Sequence, residues 1–132
     1  RVTEIRERFP FLHFLQFLAR ASGVMVIGST ERHYTASKIY QALLSQRPVF
    51  AIFHQESSAA EVMAACKADQ YLVGYHEGMD ETALYEAIKN RFHAFVQQSD
   101  DWNPDLQQLE RYSARESAHK LAWGMQQALD NR

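Results

Sequence analysis

Two short, unbroken apolar runs constrain this chain more than any other feature: Val24-Met25-Val26-Ile27-Gly28 and Pro48-Val49-Phe50-Ala51-Ile52-Phe53. Neither alternates apolar with polar residues, so each predicts a strand buried on both faces. Proline suits the first position of the second run. Between them lie a polar loop, Ser29–Tyr34, and a segment, Thr35–Ser45, that predicts a helix with Ile39, Leu43 and Tyr40 turned inward. Tyr71-Leu72-Val73-Gly74 predicts a third short strand. Strands of this composition alternating with helices imply right-handed crossovers and a parallel sheet of three to four strands with helices on both faces. The fold class is α/β, three-layered and Rossmann-like, in a single domain spanning residues 1–132.

The remaining segments fill out the helical layers. Phe9–Ala21 predicts a helix with Pro10 in its first turn and with His13, Gln16 and Arg20 marking a narrow polar stripe. Its aromatic set, Phe9, Phe11, Phe14 and Phe17, is either core or a surface that another part of a larger molecule covers. Ser58-Ala-Ala-Glu61 has the form of a capping box opening a helix to about Lys67. Asp80 caps a helix to about Gln97 with Leu84, Ile88, Phe92 and Phe95 on its apolar face. Asn103-Pro104 starts a short helix to about Arg111, and Tyr112 marks the bend into a last helix. That helix opens on a second capping box, Ser113-Ala-Arg-Glu116, and carries Leu121, Met125 and Leu129 on one side. Trp102 and Trp123 are expected to anchor these terminal helices, and Arg1–Ile5 to form the end of a strand.

Composition excludes several function classes. Across 132 residues, 14 basic side chains stand against 16 acidic ones, a net charge of −2, so the basic excess expected of a nucleic-acid binder is missing. Hydrophobic residues at 46% and charged residues at 23% are ordinary for a globular chain. The single cysteine, Cys66, cannot close an internal disulfide, which fits a reducing compartment. No run approaches the roughly 20 apolar residues of a membrane span. The expectation is a cytoplasmic protein with no transmembrane segment, no nucleic-acid partner and no metal. A start on Arg1 suggests a processed chain or a piece of a longer one.

Three or four strands are few for a doubly wound domain, and Gly28-Ser-Thr-Glu offers one glycine where a dinucleotide fold has several. The chain reads as the second half of a nucleotide-binding domain. The stretch Thr35-Ala-Ser-Lys-Ile-Tyr-Gln-Ala-Leu-Leu-Ser-Gln-Arg-Pro-Val-Phe-Ala resembles the donor-binding segment of GT-B fold glycosyltransferases, in particular the group-1, family-4 class. Thr35, Lys38, Tyr40, Pro48 and Val49 match that pattern. Ala21–Gly28 is similar to the strand before it, and Arg111-Tyr112-Ser113 to the tail after it. The resemblance covers nearly all of this chain but only part of the family's C-terminal domain. It implies a nucleotide-diphosphate-sugar as donor substrate, with no further cofactor. The diphosphate would sit at the helix start of Thr35, Ser37 and Lys38, with the ribose near Gln41. It also implies a missing N-terminal domain that supplies the acceptor site, and hence an inactive isolated piece, exposed along one edge of the sheet or one face of the helix 9–21 and prone to form a homodimer. Two departures stand out: the family's glutamate is Gln41, and its glycine two before the proline is Gln46. In members with paired glutamates the first falls on His33.

Each candidate also has a plainer reading. Thr35 serves as an ordinary N-cap, Gln41 as a solvated helix residue, and His33 as a loop histidine. His54-Gln55-Glu56 follows the second strand on the side where open α/β sheets bind ligands, or is a polar loop without a role. Cys66 reads as a small buried residue. The competing functional class is a non-catalytic α/β module that binds a partner protein or a small anion.

Overall fold

The structure is a computed structural model and describes residues 2–29, 36–97 and 101–130. Among the described residues three strands, β1 (Val24–Ile27), β2 (Val49–His54) and β3 (Leu72–Tyr75), form one parallel sheet in the order β1-β2-β3. Val24 pairs with Val49 and Ile27 with Ile52 across the first seam; Ala51 pairs with Leu72 and His54 with Tyr75 across the second. The described residues also form five α-helices: α1 (Phe11–Arg20), α2 (Lys38–Leu44), α3 (Ser58–Ala65), α4 (Glu81–Val96) and α5 (Ala114–Asp130).

Residues alternate between the two faces of each strand. On one face Val24, Val49, Ala51 and Phe53 pack with Ile39, Ala42 and Leu43 of α2 and with Ala59, Val62 and Met63 of α3. Leu18 of α1 joins this cluster, and Arg47 Nε donates to the Ala19 carbonyl at 2.8 Å, tying the end of α1 to the turn after α2. On the other face Phe50, Tyr71 and Val73 pack beneath Leu84, Ile88 and Phe95 of α4. The Phe50 ring meets Phe92 edge-on, with centroids 5.4 Å apart. Phe95 reaches the start of β1, where a Cβ on Gly23 would lie 2.5 Å from its ring, so a larger residue there would push the ring aside.

The parallel α/β architecture stands as expected, and several details differ. β1 is buried on one face only: Met25 is 50% and Ile27 63% exposed, because α4 lies over β2 and β3. Residues 2–9 form no strand, and Val2 and Ile5 are exposed. Phe9, Phe11 and Phe17 are exposed, while Phe14 is half-buried against the core. The N-cap of α3 is Ser57, not Ser58; the Ser57 hydroxyl accepts from the Ala60 N–H at 3.2 Å. Extended backbone puts Ser57 on the turn and Ser58 already inside the helix, so Ala60 takes the third helical position and the serine caps without the reciprocal glutamate of a capping box. Asp80 caps α4 by accepting from the Ala83 N–H at 2.8 Å, as expected. Residues 106–112 wind as a 3-10 helix rather than an α-helix, and Ser113 then caps α5 through the Glu116 N–H. Trp102 stacks on Tyr71, but Trp123 is 69% exposed and Leu121, Met125 and Leu129 are exposed with it. α5 packs mainly against the 3-10 segment, so its apolar stripe is not core.

Two helices on the first face end on non-glycine residues in the left-handed region: Gln46 (φ 57°) after α2 and Lys67 (φ 53°) after α3. After α3 the Lys67 N–H donates to Ala64 and the Ala68 N–H to Met63, satisfying the last carbonyls in a Schellman arrangement. Gln46 thus stands where a helix C-terminus favours glycine.

Candidate functional site

A parallel sheet brings the ends of its strands to one side, and the crevice beyond the carboxyl ends is where such sheets bind ligands. Here β1 ends on Ile27-Gly28-Ser29, β2 on His54-Gln55-Glu56, and β3 on Tyr75-His76-Glu77. The three ends are stitched together. Gly28 N–H donates to the Ile52 carbonyl at 2.8 Å, and Gln55 N–H to the Tyr75 carbonyl at 2.9 Å. The Tyr75 hydroxyl donates to the Ser29 carbonyl, linking the end of β3 to that of β1. A Cβ on Gly28 would lie 2.7 Å from the Phe53 ring, so glycine is required for this close approach.

His54 is the central polar side chain of this edge and is 98% buried, its relative exposure being 2%. Its Nδ1 accepts from the Glu56 N–H at 3.2 Å, which assigns the neutral ring's proton to Nε2. Nε2 lies 3.4 Å from Glu77 Oε2, and the ring packs edge-on to Tyr75 with centroids 5.7 Å apart. The backbone and Glu77 therefore hold the imidazole in one tautomer and one orientation. Glu77 itself is 69% exposed and reaches the imidazole from solvent. Gly78, at φ 80°, makes the turn that brings Glu77 back over the edge.

α2 starts on the same side of the sheet, since it follows β1. Ser37 is its N-cap residue by position, is exposed, and makes no side-chain cap bond. Lys38 is exposed and its Nζ stands 5.5 Å from the Phe14 ring centroid, directed toward α1. Gln41 lies one turn on from Ser37 and is half-buried. Its Oε1 is buried, and no described residue donates a hydrogen bond to it. His33 and Thr35 lie outside the described residues. Of the five residues singled out in the sequence, Ser37, Lys38 and Gln41 therefore lie along α2 and its N-cap, with Lys38 turned toward Phe14 of α1. Sequence reasoning marked His54 through its place at the end of a buried strand. It missed Tyr75 and Glu77, whose signal was the polar run Tyr75-His76-Glu77-Gly78 at the equivalent place after β3.

Other titratable groups belong to the core. Burial pushes the Cys66 thiol up, Asp105 adds to that, and Arg111 opposes it. Burial likewise raises the Tyr40 phenol, with Tyr112 and Glu61 adding to it. Tyr71 rises through burial and Asp101, against a hydrogen bond from Gln70. Cys66 is therefore held as an inert thiol rather than as a nucleophile. Among the described residues no group of three His, Cys, Asp or Glu could hold a metal ion, and no helix is long and apolar enough to cross a membrane. Comparison of the chain with family models, with curated proteins and with solved structures finds no match.

Proposed function

We propose that this chain binds the nucleotide-diphosphate-sugar donor of a GT-B-like glycosyltransferase, at the carboxyl ends of β1 and β2 beside the start of α2. The observation that carries the reading is Gln41, a buried amide oxygen for which the described residues supply no hydrogen-bond donor. An unpaired buried acceptor costs about 1–3 kcal/mol, and rotation of the Gln41 amide out of the fold would relieve that cost by bringing the oxygen to a ligand hydroxyl. The resemblance puts the ribose at this residue, and a ribose hydroxyl is such a donor. Electrostatics favour the same side: Glu56 and Glu77 stand at the ends of β2 and β3, so a diphosphate is best received near β1 and α2, away from both carboxylates. In this reading transfer to a carbohydrate or lipid-linked acceptor needs a second domain, and this chain alone binds donor without turning it over.

Calorimetric titration with uridine and guanosine diphosphates tests the proposal, with the uncharged nucleosides in parallel. Gln41→Ala should weaken binding several-fold. Gln41→Glu should tighten it by about 1 kcal/mol, because a carboxylate accepts more strongly than an amide. Unchanged nucleoside and nucleotide affinity in both variants would refute the ribose contact. The second reading, a non-catalytic α/β module that grips a partner protein, is favoured by the exposed apolar residues of β1. It predicts no nucleotide binding at all.

A further inference from the structure

We propose that the outer edge of β1 pairs antiparallel with the β1 edge of a second copy of this chain, about a two-fold axis through Val26, so that two three-stranded sheets become one. This inference does not depend on the donor-binding reading, because the edge lies along β1 and not at its carboxyl end.

The ladder fixes which backbone groups face outward. Val24 N–H donates to the Pro48 carbonyl and Gly28 N–H to the Ile52 carbonyl, both at 2.8 Å, so the even-numbered residues of this strand face β2. Met25 and Ile27 therefore turn both N–H and C=O away from the sheet. Among the described residues no hydrogen bond reaches those groups. An open groove of about 300 Å³ runs along this edge, lined by β1, by Phe14 and Leu18 of α1, and by Lys38 and Ala42 of α2. The Met25 and Ile27 side chains project, exposed, on the face that α4 leaves open.

The opposite edge shows what a protected strand looks like. Leu72 and Gly74 of β3 are flanked by Glu61 on one side and by Asn90 and Arg91 on the other, the charged rim that discourages strand pairing. Among the described residues that line the groove beside β1 the charged one is Lys38, whose ammonium is turned over Phe14.

An edge that presents two outward residues separated by one is self-complementary. Antiparallel about Val26, Met25 meets Ile27 of the second copy and Ile27 meets its Met25, so every outward N–H and C=O of the two strands finds a partner. Both Met–Ile pairs then fall on the open face, where cross-strand apolar pairs stabilise a sheet. Any slip leaves half of these bonds unmade and separates the pairs. A stable interface needs about 800 Å² from each partner, more than four residues provide. The proposed interface continues onto α1, where Phe11 extends the Phe14 and Leu18 row by one turn and Phe11 and Phe17 are both exposed.

Sedimentation velocity over a dilution series tests the pairing on the chain itself, where the expected mass is twice the 15.3 kDa of one copy. Met25→Pro removes an outward N–H and leaves the β1–β2 ladder intact, so it should give a monomer with an unchanged circular dichroism spectrum. If that variant fails to fold, Val26→Cys answers instead. At the two-fold axis the opposed Cα atoms would lie about 4.5 Å apart, within disulfide range. Diamide should then link Val26→Cys into a covalent dimer, while the unmodified chain, whose Cys66 is buried, should stay unlinked. A single-copy mass at every dilution with no cross-link would overturn the proposal. So would a dimer that survives Met25→Pro and does not cross-link through position 26, because its interface would lie elsewhere.

Discussion

On one face of the sheet Val24, Val49, Ala51 and Phe53 lie beneath α2 and α3; on the other, Phe50 and Val73 lie beneath α4, while Met25 and Ile27 remain exposed. The residues are alike, and topology makes the difference. With strand order β1-β2-β3, both crossover helices pack on the same face, and only the helix after β3 packs on the other. A helix is about 10 Å across and strands lie about 4.8 Å apart, so one helix covers two strands. α4 covers β2 and β3, and β1 is the strand left over. A three-stranded parallel sheet of this order thus has one closed face and one face short of cover by the width of a strand.

Core truncation should separate the two faces most sharply. Phe53→Ala on the closed face removes a fully buried ring and should cost about 3–5 kcal/mol in a denaturant titration. Ile27→Ala on the open face should cost less than about 1 kcal/mol under conditions where the chain is monomeric, because most of that side chain is already in water. Equal losses at the two sites would mean that something covers β1 in solution.

Relief of strain gives a smaller effect of opposite sign. Gln46 holds φ at 57°, a conformation that costs a residue with a Cβ and costs glycine little. Gln46→Gly should raise stability by about 1 kcal/mol, read as a higher denaturation midpoint with unchanged m-value. Its position after α2 on the closed face means that the gain reports the helix terminus and not the sheet edge.

Alkaline titration should give the smallest and most diffuse effect. Cys66 and Tyr40 on the closed face, and Tyr71 on the other, all have acidities weakened by burial, from ordinary values of 9.0 for the thiol and 10.0 for the phenols. Their neutral forms bind protons that the unfolded chain releases first. Stability is therefore complete below about pH 9 and falls as pH rises through and above that range. Urea midpoints measured between neutral and alkaline pH check the sign. A Cys66→Ser variant should lose the lower part of the fall and keep the part due to the phenols.

Much of the architecture was legible in the chain. The unbroken runs at 24–28 and 48–53 announced parallel strands because their residues have no polar partner to turn toward water. Asp80 and Ser113 announced helix starts because a short side-chain acceptor is the simplest way to satisfy orphan amides. Ser57 and Ser58 were confused because adjacent serines offer the same chemistry, and only the extended backbone at Ser57 distinguishes them. At the site, His54 was visible as the polar end of a buried strand. Its fixed tautomer was not, since the contact to Glu77 spans a separation of 23 residues that no local pattern encodes.

The sequence by itself determined the α/β class, the parallel pairing and most helix starts, because each depends on local periodicity and on hydrogen-bond donors within a turn. The tertiary structure alone decided which apolar residues are core. Phe53 and Ile27 look the same in the chain, as do Trp102 and Trp123, and they part company only when α4 is placed over two strands and α5 packs mainly against the 3-10 segment. Burial is a property of what lies opposite a side chain, and periodicity records only which side it faces. The same holds for Gln41: its helix was legible, but the burial of its amide oxygen, which meets no donor among the described residues, exists only because the folded chain encloses it.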